Sequence, residues 1–250
     1  MENPFAPPDV YAAQRILAIQ PHYDDNDIAA GGALAALAKG GAEIYYLTVT
    51  DDLIGVIDEK LSPEEAAAQL KAEQIQAGEI IGVKGHFWLG YPDAGKYNYF
   101  DLRRDLIQHI RMVKPDFIFT VDPWTPYEAH HDHIITGKAA AEAAILYGMT
   151  RLKTIPEVDD NYEPVDLLGI AFYATAYPNK IVDISQSYAA KHQAVRQYQA
   201  QFSEEDMQKL LAYLDYKELE YAQTQPFARG EPLKVLQGMH LHVFAEAWKT

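Results

Sequence analysis

Two short segments rich in Asp and His carry residue types that can hold a metal ion. The first is His-Tyr-Asp-Asp-Asn-Asp at residues 22–27, and the second is His-His-Asp-His at residues 130–133. A catalytic zinc ion takes three protein ligands and keeps one position open for water. His22, Asp25 and one histidine of the second segment would supply those ligands. The neighbouring Asp24 would then accept a proton from the water as general base.

Each segment is expected to follow a buried strand. Arg15–Gln20 is a short apolar run, and residues 116–121 form another such run upstream of the second segment. An apolar helical segment, residues 31–39, separates the first run from Glu43–Thr50, which is rich in β-branched and aromatic residues. This order predicts a βαβ unit with parallel strands. Ligand sites in open α/β sheets lie beyond the carboxyl ends of strands, so both segments should lie at one edge.

The rest of the chain continues the alternation of helices and strands. The other predicted helices are residues 62–81, 101–113, 134–147, 185–202 and 204–223, and the other predicted strands are residues 86–89, 167–174, 180–184 and 239–247. The pattern favours a doubly wound, mostly parallel, Rossmann-like α/β sheet in three layers. We find no linker or repeat, and therefore predict a single domain over 1–250. Residues 1–150 would form its core βα units, and residues 151–250 its C-terminal strands and helices.

Composition excludes several classes of function. The 250 residues include no Cys, so disulfides, thiolate catalysis and Cys metal ligands are excluded. Asp and Glu number 36 against 21 Lys and Arg, a formal net charge of −15, which disfavours nucleic acid and anionic membranes as partners. No apolar run reaches the roughly 18 residues of a membrane span, and residues 1–14 lack the pattern of a signal peptide. We expect a cytoplasmic protein.

Each segment alone has an ordinary explanation. Adjacent aspartates are typical of solvated turns and helix caps, and histidines three apart are common at helix starts. Together at one sheet edge they favour a metal site. One rival is a phosphoester hydrolase, because residues 130–133 are similar to the HxHxDH motif of metallo-β-lactamase-like enzymes. That motif is one residue longer and belongs to a two-metal site, so the number of metal ions per chain separates the two hypotheses.

The order of motifs resembles the LmbE-like, or PIG-L, family of zinc-dependent N-deacetylases. Residues 22–26 stand where that family has His-Pro-Asp-Asp-Glu, and they are followed by Gly31-Gly32 and a strand ending in Thr50-Asp51. Residues 130–133 stand where it has His-Pro-Asp-His, and residues 89–93 (Leu-Gly-Tyr-Pro-Asp) match an intermediate motif. The resemblance covers most of the chain in the right order.

The resemblance implies one zinc ion per chain, bound by His22, Asp25 and His133, with Asp24 as general base. The implied reaction is the hydrolysis of an N-acyl group, expected to be acetyl, from an amino-sugar-containing substrate. The implied partner is thus an N-acetylated sugar or glycoside, and a homo-oligomer is expected. The alternatives within the family are a thiol-sugar conjugate amidase and a binding module that keeps the metal without turnover.

The resemblance also assigns roles around the metal. His130 would be a cation that stabilises the oxyanion or protonates the leaving amine, Asp132 would hold that imidazole, and Asp93 would contact a sugar hydroxyl. Several positions depart from the family, and two of them bear on substrate contacts. Tyr23 replaces Pro and would place its ring at the pocket mouth, and Lys71 lies near the position of an Arg that contacts substrate. We include both as candidate substrate contacts.

Overall fold

The computed structural model describes residues 5–250, in which seven strands form one sheet. The strands are β1 (Arg15–Gln20), β2 (Glu43–Thr50), β3 (Val83–Tyr91), β4 (Phe117–Val121), β5 (Gly169–Tyr173), β6 (Lys180–Asp183) and β7 (Gly230–Leu236). The α-helices are α1 (Asp25–Lys39), α2 (Pro63–Ile81), α3 (Tyr99–Val113), α4 (His131–Leu146), α5 (Pro156–Asp159), α6 (Tyr188–Val195) and α7 (Glu204–Ala222). The first four residues of the predicted domain lie outside the described residues, and its extent stays a prediction.

The strand order is β3-β2-β1-β4-β5-β7-β6. The first five strands in this order run parallel, whereas β7 is antiparallel to both β5 and β6. The predicted doubly wound, mostly parallel α/β fold is confirmed. The chain winds outward from β1 in one direction and from β4 in the other. The neighbouring carboxyl ends of β1 and β4 therefore form the switch point at which such sheets bind ligands.

Both faces of the central strands are covered by helices. In β1, Ile16 and Ala18 belong to a core shared with α1, α2 and α6, whereas Leu17 and Ile19 belong to a core shared with α3 and α4. This alternation is the pattern of a strand buried on both sides. The rigid three-layer core fixes the loops at the carboxyl edge.

Several predicted boundaries differ from the structure. α1 begins at Asp25 rather than at residue 31, and α4 begins at His131, so both metal-site segments run into helix starts. The predicted strand at residues 239–247 is wrong, because that region forms 3-10 turns at Gly238–Leu241 and Ala247–Lys249. The last strand is instead β7, whose Pro232 breaks the usual sequence pattern of a strand.

The helix predicted at residues 185–202 is confined to α6 and is followed by turns that lead to α7. Within residues 5–250, none of the helices is both long and apolar enough to cross a membrane.

Gly137 allows α4 to approach the end of β4. A Cβ atom at this position would lie 2.5 Å from the backbone oxygen of Val121 and 2.9 Å from the ring of Pro123. We expect Gly137→Ala to lower the free energy of unfolding by about 1–3 kcal/mol, the usual cost of overpacking. Gly148→Ala is the control, because a Cβ there meets no atom within 4 Å. Urea midpoints measure both, and equal midpoints would contradict the close approach.

Candidate metal centre and catalytic site

The two segments predicted to hold a metal meet in a cleft at the switch point between β1 and β4. The cleft has a volume of about 330 Å³. It is lined mostly by loops that follow β1, β2, β3 and β4. The lining residues are His22, Asp24, Asp25, Asp52, Ile54, Gly55, Asp93, Ala94, His130, His133 and Gln201.

Buried hydrogen bonds fix the turn that carries the first segment. The backbone N–H of Asn26 donates to Gln20 Oε1 at 2.8 Å, and Gln20 Nε2 donates to the Tyr23 carbonyl at 3.1 Å. The Tyr23 amide donates to Asp52 Oδ2 at 3.0 Å. Asn26, which stands where the family has Glu, therefore anchors the start of α1 and does not enter the cleft lining. The turn is held from both β1 and the β2 loop, so its side chains have defined directions.

The three predicted metal ligands lie side by side. His22 Nδ1 is 3.3 Å from Asp25 Oδ2, and His133 Nε2 is 3.3 Å from Asp25 Oδ1. Ligand atoms about 2.0–2.1 Å from a tetrahedral zinc ion are themselves about 3.3–3.4 Å apart. Each imidazole therefore lies at ligand spacing from Asp25, and the two contacts use different oxygens of that carboxylate. Among the described residues, two groups have donor atoms that all lie within 4.8 Å of one another: His22, His130 and His133, and His22, Asp93, His130 and Asp132. Asp25 belongs to neither group, and His130 belongs to both, which brings His130 to this centre.

The other nitrogen of each imidazole faces a second carboxylate. His22 Nε2 is 3.3 Å from Asp93 Oδ1, and this buried nitrogen has no hydrogen-bond partner. His133 Nδ1 is hydrogen-bonded to Glu128 Oε2 at 3.2 Å. Zinc-binding histidines usually have such an outer carboxylate or carbonyl partner. The donor set and its surroundings therefore fit zinc.

Asp24 and Asp25 are adjacent, but their pKa values are shifted in opposite directions. Burial, reinforced by the charges of Asp25 and Asp52, raises the pKa of Asp24 well above its ordinary value. The pKa of Asp25 lies below its ordinary value, because the hydrogen bonds and charges of His133 and His22 have a larger effect than burial, which alone would raise it. Asp24 is buried, and its side chain makes no capping hydrogen bond at the start of α1. One carboxylate is thus committed to the imidazoles, and the other is suited to exchange a proton.

Asp132 holds the neighbouring loop more directly than it holds His130. Its Oδ1 accepts from the Tyr97 hydroxyl and its Oδ2 from the Ala94 amide, both at 2.8 Å. His130 Nδ1 is 4.0 Å from Asp132 Oδ2, which is too long for a hydrogen bond. Burial and two neighbouring imidazoles lower the pKa of His130, which favours its neutral form. The cationic role of His130 stays a prediction.

Comparison with known proteins agrees with this site. Residues 17–144 match the PIG-L family, described as GlcNAc-PI de-N-acetylase, and they make up half of the chain. This chain belongs to the PIG-L family. The resemblance found in the motifs is therefore confirmed.

Individual PIG-L relatives extend the match beyond residue 144. Diacetylchitobiose deacetylase of Thermococcus kodakarensis is 30% identical over 92% of this chain and 86% of its own. The structure of N,N'-diacetylchitobiose deacetylase from Pyrococcus horikoshii superimposes with a TM-score of 0.84 at 32% identity, covering 94% of this chain and 88% of that one. A probable N-acetyl-α-D-glucosaminyl L-malate deacetylase of Bacillus anthracis is 27% identical over 66% of this chain and 67% of its own.

The three predicted substrate contacts have different surroundings. Asp93 lines the cleft, and its Oδ2 accepts from the Ile54 amide at 3.2 Å. The Tyr23 ring packs in the hydrophobic core, so its expected position at the pocket mouth is wrong. Lys71 is exposed, and its Nζ lies 5.3 Å from the centre of the Trp88 ring, outside the cleft lining. Of the three, Asp93 is the one that borders the site.

Three cleft or cleft-adjacent residues were not among the predicted site residues. Asp52 Oδ2 accepts from Gln201 Nε2 at 2.8 Å, and this pair forms one wall of the cleft. Burial raises the pKa of Asp52 to about 7. Glu128 precedes the second segment and contacts His133. Asp52 has a sequence signal, because it lies two residues after the end of β2, whereas Glu128 lies in a loop without a distinctive pattern.

Zinc binding to the metal-free protein is expected to release protons. Burial lowers the pKa of His22, but the hydrogen bonds and charge of Asp25 and Asp93 have the larger effect, and they raise that pKa from 6.5 to about 11. Burial also lowers the pKa of His133, and the contact with Asp25 again has the larger effect and raises it. At pH 6.5 both imidazoles are therefore mostly charged, whereas zinc requires them neutral. We expect between one and two protons per zinc, measured by calorimetry in buffers of different ionisation enthalpy. Heats independent of the buffer would refute this charge state.

Proposed function

We propose that this chain is a zinc-dependent hydrolase that removes the acetyl group from the nitrogen of an amino-sugar-containing substrate. The observation that carries the proposal is the contact of Asp25 with both His22 and His133, beside a second carboxylate, Asp24, that the imidazoles do not occupy. The named PIG-L relatives support it, because each is a deacetylase of an N-acetylated sugar compound.

His22, Asp25 and His133 would hold the metal. When bound, zinc supplies a Lewis acid that polarises an amide carbonyl and makes water more acidic. Asp24 would take the proton of the attacking water and, with His130 as the alternative donor, return a proton to the leaving nitrogen. His130 would also donate a hydrogen bond to the carbonyl oxygen as negative charge develops there.

The cleft favours an uncharged sugar. Four aspartates and three histidines line it, and neither Lys nor Arg is among its lining residues in the described part of the chain. Away from the metal ion, an anionic group in the substrate would therefore meet like charge and neither Lys nor Arg. Among the compounds in the names of the relatives, diacetylchitobiose fits this lining better than a malate conjugate. Asp93, Asp52 and Gln201 would bind sugar hydroxyls.

Acetate release from a panel of N-acetylated sugars tests this function. We expect turnover of N-acetylglucosamine or diacetylchitobiose, loss of turnover with a chelator, recovery with zinc, and about one bound zinc per chain. A malate conjugate of N-acetylglucosamine should be hydrolysed more slowly. Turnover that is unchanged after the chelator has removed the metal would contradict the zinc assignment. Two zinc ions per chain with hydrolysis of phosphoesters would favour the rival chemistry.

Asp24→Asn tests the general base. The side chain keeps its size but cannot accept the proton, so we expect unchanged zinc content and kcat lower by about 10²–10⁴-fold. Asp58→Asn is the control, because Asp58 is an exposed acid outside the cleft lining. Metal analysis and kcat measured on the same samples give the result. A fully active Asp24→Asn protein with normal zinc would remove Asp24 from this role.

A further inference from the structure

Glu128 contacts both histidines of the second segment. Its Oε2 is 3.2 Å from His133 Nδ1, and its Oε1 accepts from the backbone N–H of His130 at 2.7 Å. About a quarter of the side chain is exposed, at 24%. One carboxylate thus joins the ring of one histidine to the backbone of the other.

The contact with the ring determines which nitrogen of His133 is available. A neutral imidazole carries its proton on one nitrogen and a lone pair on the other. An ionised Glu128 can only accept, so it selects the form of His133 that is protonated on Nδ1. The lone pair is then on Nε2, the atom that lies 3.3 Å from Asp25. Glu128 therefore aims the lone pair of His133 at the metal centre.

The contact with the backbone fixes where α4 begins. His130 is the residue before the first turn of α4, and its own side chain makes no capping hydrogen bond. Glu128 holds the His130 amide and brings negative charge close to the helix start, which is favourable there. The same side chain therefore sets both the ring direction of His133 and the entry of the chain into α4.

The loop is also anchored upstream of Glu128. Thr125 Oγ1 donates to the Ala174 carbonyl at 2.7 Å, and the Trp124 amide donates to Asp122 Oδ1 at 2.9 Å. Between these anchors and Glu128, Tyr127 adopts a left-handed backbone with φ of 69°, and its side chain is fully exposed. That conformation is unfavourable for a tyrosine, and the exposed ring gains no burial from it. Backbone strain of this kind is a feature of functional sites, and here it lies next to Glu128, whose side chain contacts His130 and His133.

We propose that Glu128 is a positioning residue that sets the zinc affinity of the centre by holding His133 in its Nδ1-protonated form. This inference rests on the zinc site proposed above. Glu128 itself need not touch substrate or metal.

Competition with a chelator that reports zinc concentration tests this role. We expect Glu128→Ala to weaken zinc binding by about 10–100-fold, the usual effect of losing the outer partner of a zinc-binding histidine. Glu128→Gln keeps a single acceptor oxygen and should lose less. Glu157→Ala removes an exposed acid on α5 and is the control for charge. At saturating zinc, kcat of Glu128→Ala should recover towards that of the natural protein.

A second readout separates positioning from a general loss of structure. The urea midpoint of metal-free Glu128→Ala should lie only slightly below that of Glu157→Ala, because the variant loses one hydrogen bond at the start of α4. Nitrogen NMR of the zinc-loaded natural protein should show His133 protonated at Nδ1. Zinc binding by Glu128→Ala within two-fold of the natural protein would overturn the inference, as would a large drop in its metal-free midpoint. If the natural protein binds no zinc, the proposed function fails with it.

Discussion

The site depends on Asp25, which contacts His22 and His133 through its two oxygens. The three residues come from different elements: His22 lies in the turn after β1, Asp25 is the first residue of α1, and His133 lies in the first turn of α4. A buried carboxylate is costly unless positive charge or hydrogen bonds compensate it. In the metal-free protein, protons on the two imidazoles provide that charge. A zinc ion would replace those protons, so the fold can keep the site assembled before metal arrives and exchange protons for metal when it does.

This arrangement needs a rigid turn after β1, and buried amide side chains provide it. Gln20 and Gln74 both donate to the Tyr23 carbonyl, at 3.1 and 2.9 Å, and Trp88 Nε1 donates to Gln74 Oε1 at 2.7 Å. The hydrogen bonds link β1, α2 and β3 beneath the turn. Buried polar groups that are fully paired specify one geometry, because each alternative leaves a donor or acceptor unsatisfied. The packing of Tyr23 into the core follows from the same constraint.

The sequence was sufficient for the parallel half of the fold and for the residues that meet at its edge, because both depend on local patterns. Arg15–Gln20 and Glu43–Thr50 were predicted with the bounds that the structure has. β7 was missed, because proline lacks a backbone N–H and is unusual within a strand. In the structure Pro232 pairs with Ile181 of the edge strand β6. The direction of the Tyr23 ring and the contact of Gln201 with Asp52 depend on long-range packing. Glu128 contacts residues only two and five positions away, but through a loop conformation that has no distinctive sequence pattern. The strand predicted over residues 239–247 failed because alternating residues in a short segment also suit consecutive turns.

The opposite properties of Asp24 and Asp25 follow from where α1 begins. Asp24 is the residue before the first turn and Asp25 is the first residue within it, so their side chains leave the backbone in different directions. One meets two imidazoles, which stabilise its charge, and the other meets Asp25 and Asp52 in a buried setting, which destabilises its charge. A metal ligand must stay ionised, whereas a base must gain and lose a proton near the working pH. Because the helix start separates the two environments, adjacent residues of the same type can divide the two tasks.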